Sequence, residues 1–225
     1  MKLRILALLT LITMIPALYM IFLYAPTEAT QGHAQRIFYI HVPLAVIGAY
    51  GSALLLFIGS LGFLITRNFK WDRFGACAAE MGVVFTSAQL LTAMMWAKPI
   101  WGTWYTFDSR GTLQVILLLI FISYFMLRSY LPDREKRAKL CGVFGLLGMV
   151  NVPINYLSIY LFRTQHPQAV VSPGGGGVDP EMATTLLVSF IAVTVLYIYV
   201  LVRRLTIAKV EEEVDYLTQV VLAHE

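Results

Sequence analysis

The chain has 225 residues, 58% of them hydrophobic and only 13% charged, with a formal net charge of +4. Soluble domains carry about 25% charged residues, so the composition excludes a soluble globular protein and predicts an all-α, polytopic membrane protein. The two cysteines form no C-x-x-C and no C-x-x-C-H, which excludes a thiol oxidoreductase and a c-type cytochrome.

A helix needs about 20 apolar residues to cross the hydrocarbon of a bilayer. Six stretches qualify: 3–24, 43–66, 74–95, 112–131, 140–162 and 183–202. The first follows Lys2 and Arg4, as a signal peptide would. Its apolar run exceeds a signal h-region and no A-x-A site follows, so it reads as a membrane span. Gly48, Gly51, Gly59 and Gly62 on the second stretch, and Gly142, Gly145 and Gly148 on the fifth, read as packing faces. Small residues let helix backbones approach where lipid removes the hydrophobic drive. Glu80, on the third, is a membrane carboxyl and hence a functional candidate, although Arg73 or water is within reach. The other helix interiors offer Gln, Asn, Ser and Thr but no relay of acids, which argues against a proton pump or a charged-ring channel. Pro153, between Asn151 and Asn155, reads as a kink held by polar bonds to a neighbouring helix.

Beyond the sixth stretch, Ile207, Val210, Val214, Leu217 and Val221 form one apolar helical stripe, with Glu211, Glu212, Glu213 and Asp215 on the other faces. This acidic amphipathic tail reads equally as a partner-binding helix and as a solvated continuation of the sixth span. The chain therefore divides into a six-helix membrane domain, 1–204, and a tail, 205–225.

Orientation follows from Lys and Arg placement. Of the 17 cations, 13 fall on one side and only Arg36, Lys98, Arg110 and Arg163 on the other. Both termini are predicted to be cytoplasmic, and loops 25–42, 96–111 and 163–182 face outward. The positive net charge reflects this topology. No basic patch with interleaved aromatics faces solvent, so the expected surroundings are membrane lipid and no nucleic acid. Cys77 and Cys141 fall on the reducing side, where a structural disulfide is not expected. No glycine-rich loop ending in Gly-Lys-Ser/Thr is present, so nucleotide hydrolysis must come from another chain.

Loop 96–111 holds three of the four tryptophans, Trp96, Trp101 and Trp104, together with Tyr105, Phe107, Asp108, Lys98 and Arg110. A connecting turn needs Gly, Pro, Asn or Ser rather than large rings. Rings in a wet loop call for lipid, protein or a flat ligand to cover them. His41, at the start of the second helix, and His166, after the fifth, stand on the same outer side. Haem iron accepts two axial imidazoles, one on each face of the macrocycle. The outward cations Arg36, Lys98, Arg110 and Arg163 suit its propionates. A histidine-bound metal is the weaker alternative, because no carboxylate or Cys cluster accompanies the pair.

The stretch Trp101-Gly-Thr-Trp-Tyr-Thr-Phe-Asp108 resembles the tryptophan-rich WWD signature of haem-handling proteins in cytochrome c biogenesis. Phe38-Tyr-Ile-His-Val-Pro43, Ala97-Lys-Pro-Ile-Trp101, Gly148-Met-Val-Asn-Val-Pro-Ile154 and Arg163-Thr-Gln-His166 are similar to segments of the CcmC family. The likeness covers all six spans and leaves the acidic tail outside. It implies that His41 and His166 are axial ligands of haem b, with Trp101, Trp104, Tyr105, Phe107 and Asp108 as the haem platform. It also implies an inner-membrane protein presenting haem at the periplasmic face to a CcmE-like chaperone, with a CcmD-like small membrane protein and CcmAB-like ABC transporter subunits. Such a protein handles and transfers haem rather than acting as a conventional enzyme. Tyr105 and Phe107 stand where the family often has Trp, which keeps a ring but loses an indole N–H at each place. Two other functions are compatible with the residues: a transporter that itself moves haem across the membrane, and a structural docking subunit of an ABC-type complex. The run Gly174-Gly-Gly-Gly177 is expected to make the His166 side of the clamp the movable one.

Overall fold

The computed structural model describes residues 2–162, 166 and 179–223. Apart from one isolated bridge between Glu28 and Gly32, the regular structure among them is helical. Six helices are long and apolar enough to cross a membrane: α1 (Leu3–Tyr24), α2 (His33–Thr66), α3 (Phe69–Trp101), α4 (Ser109–Tyr130), α5 (Arg134–Leu161) and α6 (Pro180–Leu222). The count agrees with the sequence expectation, but α2, α3, α5 and α6 outrun their apolar stretches. Polar caps set the N-terminal ends of α3 to α6. Asn68 Oδ1 accepts the Lys70 N–H at 3.0 Å, and Asp133 Oδ1 accepts that of Lys136 at 2.7 Å. Asp108 and Asp179 cap α4 and α6 in the same way.

α2 is the central helix and packs along α3 and α5; α4 lies against α5 and α3, and α1 runs along α6. The contacts rest on small residues. A Cβ on Gly59 of α2 would lie 2.7 Å from the Cα and N of Gly75 on α3, so the two backbones touch there. A Cβ on Gly145 of α5 would strike Ser60 and Leu56 of α2, and one on Gly82 of α3 would enter the Phe121 ring of α4. The core between these helices is Ala49, Ala53, Leu56, Ala78, Ala79, Leu117, Phe121, Tyr124 and Cys141. Cys77 and Cys141 are buried free thiols.

Ion pairs tie the helices together at the end away from the aromatic loop. Asp72 of α3 takes two bonds from Arg128 of α4, at 2.7 and 3.0 Å. Glu80 pairs with Arg204 of α6 through both oxygens. Arg73 instead reaches Glu212 at 2.6 Å, so the Arg73 partner anticipated for Glu80 is used elsewhere. α6 continues unbroken through the acidic tail to Leu222. Glu211 and Glu212 pair with Arg204, Arg73 and Arg134 of the bundle. The tail is thus a continuation of the sixth span, with Val210, Val214, Leu217 and Val221 exposed on it.

Asn151 and Asn155, on either side of Pro153, bond the neighbouring helix as expected. Asn151 Nδ2 donates to the Leu113 carbonyl at 3.2 Å, and Asn155 Nδ2 donates to Gln114 Oε1 at 3.2 Å. Asn155 Oδ1 also accepts from the Tyr50 hydroxyl at 2.9 Å, which joins α2, α4 and α5.

Candidate functional site

The chain enters α2 through a short 3₁₀ turn, His33–Ile37, followed by an α-turn, Phe38–Pro43, and a wide π-turn segment, Leu44–Tyr50. Pro43 brings no N–H to the ladder, and the wider turns after it re-aim the helix, a device common at functional sites. His41 sits within this irregular stretch and faces α3. Its Nδ1 lies 3.1 Å from Thr92 Oγ1 and its Nε2 lies 3.4 Å from Gln89 Nε2.

The aromatic segment is only partly a loop. Trp96 to Trp101 form the last turns of α3, despite Pro99. Gly102 ends the helix in the left-handed region, φ 74°, with its N–H bonded to the Lys98 carbonyl at 3.0 Å. Lys98 Nζ bonds back to the Gly102 carbonyl at 2.9 Å and lies 5.9 Å from the Trp104 ring centre. Trp96 and Trp101 meet edge to face at 4.9 Å, and Trp96 Nε1 donates to Gln31 Oε1 at 3.0 Å, tying α3 to the first outer loop. Phe107 takes a left-handed φ of 53° and meets Tyr105 edge to face at 4.7 Å. Asp108 then caps α4, its Oδ1 accepting from the Gly111 N–H at 3.0 Å.

These elements enclose a cavity of about 210 Å³ at one end of the bundle. Seven residues anticipated from the sequence line it: His41, His166, Trp101, Trp104, Tyr105, Asp108 and Arg110. Lys98 and Phe107 do not line it: Lys98 closes the end of α3, and the Phe107 side chain is largely exposed. Arg36 is not brought to the cavity either. Its guanidinium bonds the carbonyls of Ile21, Phe22 and Ala25, which the end of α1 leaves without helical partners. It lines a separate outer groove with Phe22, His33, Ile37 and Ile40. Arg163 and Gly174 to Gly177 lie outside the described residues.

Trp96 of the aromatic segment lines the cavity as well, and so do Tyr50, Gln89, Met94 and Gln114, which were not anticipated as site residues. The two glutamines had a signal in the sequence, a polar side chain inside an apolar helix, but so did every Asn and Ser of the spans. Gln89 Oε1 and Gln114 Nε2 are buried without a hydrogen-bond partner among the described residues, so the cavity wall carries polar atoms with unused bonding capacity. The donor set fits haem: two imidazoles for the iron, indole and phenol rings for the macrocycle, and the Arg110 guanidinium for a carboxylate. No group of three or more His, Cys, Asp or Glu suited to a bare metal ion occurs among the described residues.

The family model described as "CcmC: Heme exporter protein C" matches residues 1–219. The chain belongs to the CcmC family. This CcmC-family chain is 34% identical over 175 residues to Heme exporter protein C of Bradyrhizobium diazoefficiens, a match covering 77% of the chain and 66% of the relative. It is also 34% identical over 166 residues to Heme exporter protein C of Escherichia coli K12, covering 72% of the chain and 65% of that relative. The match thus spans just under two thirds of these two relatives' lengths. A ccmC-like mitochondrial protein of cytochrome c biosynthesis from Marchantia polymorpha is 31% identical over 178 residues, 77% of the chain and 73% of the relative. The family match extends through most of the acidic tail, which the sequence resemblance had left outside.

Proposed function

We propose that this CcmC-family protein holds haem b as cargo in the cavity and delivers it to a CcmE-like chaperone for cytochrome c maturation. The observation that supports this most is the meeting of His41 and His166 at one cavity with Trp101, Trp104 and Tyr105. Two residues far apart in the chain supply imidazoles to a space walled by flat rings, and iron porphyrin needs that pair of features. Arg110 supplies the cation for a propionate, and the Asp108 cap holds the start of α4, and so Arg110, in place. Trp104 is partly exposed at the cavity rim and offers an edge where a chaperone could approach the cargo.

In this reading the protein sits in the bacterial inner membrane with both termini cytoplasmic and the cavity facing the periplasm, consistent with the distribution of Lys and Arg. CcmD-like and CcmAB-like chains would be its membrane partners, and the nucleotide chemistry would be theirs. The protein binds and releases haem without making or breaking a bond within it.

The test is the visible spectrum of detergent-purified protein from haem-replete cells. A strong Soret band that shifts or vanishes in both His41→Ala and His166→Ala is the expected result. A colourless wild type that stays colourless after haem is added would overturn this reading in favour of a docking subunit.

A further inference from the structure

On the reading that His41 holds the cargo, we infer that Thr92 and Gln89 are positioning residues for it. Thr92 fixes the proton on Nδ1 so that Nε2 is the coordinating nitrogen, and Gln89 occupies that Nε2 until cargo displaces it.

Three observations support the inference. Thr92 Oγ1 donates its single proton to the Gln89 carbonyl at 2.8 Å, and a carbonyl can only accept. The same oxygen lies 3.1 Å from His41 Nδ1, so at that contact it accepts, and the proton between the two atoms belongs to the imidazole. A neutral histidine carries one ring proton, and with Nδ1 protonated the lone pair lies on Nε2. Gln89 Nε2, a donor, stands 3.4 Å from that Nε2; the opposite tautomer would set two N–H groups against each other. The positions agree as well: Gln89 lines the cavity and Thr92 does not. The nitrogen on the cavity side is therefore the one left unprotonated, and the protonated one is held from behind.

A ligating histidine is oriented, and made more basic, by whatever accepts its other N–H. Here that acceptor is a neutral hydroxyl, a weaker partner than a carboxylate. It suits a protein that must release its cargo. Gln89 Oε1 has no partner among the described residues, so no second bond fixes the amide and it can turn aside when Nε2 is taken. Thr92 and Gln89 lie on the same turn of α3 and act on opposite nitrogens of one ring that belongs to α2. Small relative shifts of these two helices would therefore alter ligand strength.

The experiment uses full-length protein in detergent, with haem added to the haem-free form, and compares wild type with Thr92→Val, Thr92→Ser, Gln89→Leu and His41→Ala. In haem-free protein labelled with ¹⁵N-histidine, the wild type should show a protonated Nδ1 and a bare Nε2 at His41, and Thr92→Val should lose that preference. On haem titration, Thr92→Val should bind about tenfold or more weakly, the scale for losing the group that orients a metal ligand. Its midpoint potential should rise because a less basic imidazole stabilises Fe(III) less, and Thr92→Ser should restore both. Gln89→Leu should load faster and bind more tightly. If His41→Ala loses the haem spectrum while Thr92→Val keeps wild-type affinity, potential and tautomer, the role of Thr92 is overturned and the His41 site stands. Weaker binding in Gln89→Leu would overturn the occupying role of the amide. An unchanged spectrum in His41→Ala would overturn the haem-site reading itself. Should Thr92→Val fail to fold, Thr92→Ala, which adds no methyl to the α2–α3 contact, reads the same loss of acceptor.

Discussion

Replacing Asp72 with Asn tests whether the ion pairs at the far end of the bundle hold the helices together. Asp72 accepts from Arg128 Nη1 at 2.7 Å and Nη2 at 3.0 Å, with side chains 9% and 19% exposed. Exposed pairs contribute about 0–1 kcal/mol, whereas removing one partner of a buried pair costs about 3–5 kcal/mol because the other charge is left without compensation. The low exposure places this pair near the buried case. Arg128 keeps two weaker partners, the Tyr124 hydroxyl at 3.4 Å and the Tyr124 ring at 5.8 Å, which retain part of the stabilisation. Asp72→Asn should therefore cost about 3 kcal/mol, at the low end of that range. Asp72→Leu combined with Arg128→Leu should cost clearly less than either single change, because no charge is then stranded. Reversible unfolding in mixed detergent micelles, followed by tryptophan fluorescence, measures each of these variants. At 1.5 Å per residue, Gln89 lies about 25 Å further along α3, so the haem spectrum should not move. A cost below about 1 kcal/mol would show that this pair behaves as an exposed one and would refute the reasoning; a shifted Soret band would refute the claimed independence of the two ends.

Gly59→Ala places a Cβ 2.7 Å from backbone atoms of Gly75, which no rotamer change relieves. It should destabilise by about 1–3 kcal/mol in the same unfolding assay, and an unchanged midpoint would mean that α2 and α3 do not touch there. Glu80→Gln weakens a partly exposed pair with Arg204, so it should cost about 1 kcal/mol or less and leave haem loading unchanged; lost loading would give Glu80 a functional role. Arg110→Ala should weaken haem binding in a Soret titration, whereas Lys98→Ala should not, because Lys98 serves the end of α3. Equal losses would place Lys98 at the cargo after all. Trp104→Ala, which removes a partly exposed ring from the cavity rim, should lower haem retention while leaving the unfolding midpoint within about 0.5 kcal/mol of wild type, as expected for a surface change.

The number and order of the membrane helices were legible in the sequence because spanning a bilayer demands a long apolar run, and that signal is local. The helix ends were less legible. Trp96 to Trp101 read as loop because rings and a proline interrupt the apolar pattern, yet the ladder persists until Gly102 can take a positive φ. Of the outward cations, sequence position could not separate Arg110, which lines the cavity, from Arg36, which is consumed by open carbonyls at the end of α1. Gln89 was one amide among several in the spans until α2 was set against α3.

Composition and patterning alone determined that this is a six-span helical membrane protein, and marked an aromatic segment with two histidines beside it. These are consequences of hydrophobicity and chain position. Only the tertiary structure decided which cations and amides share the cavity with those histidines, and which nitrogen of His41 is held by Thr92. That information lies in how one helix is rotated and shifted against the next. Here the rotation is set by close backbone contacts such as Gly59 on Gly75, whose effect on side chains several helical turns away has no signature in the local sequence.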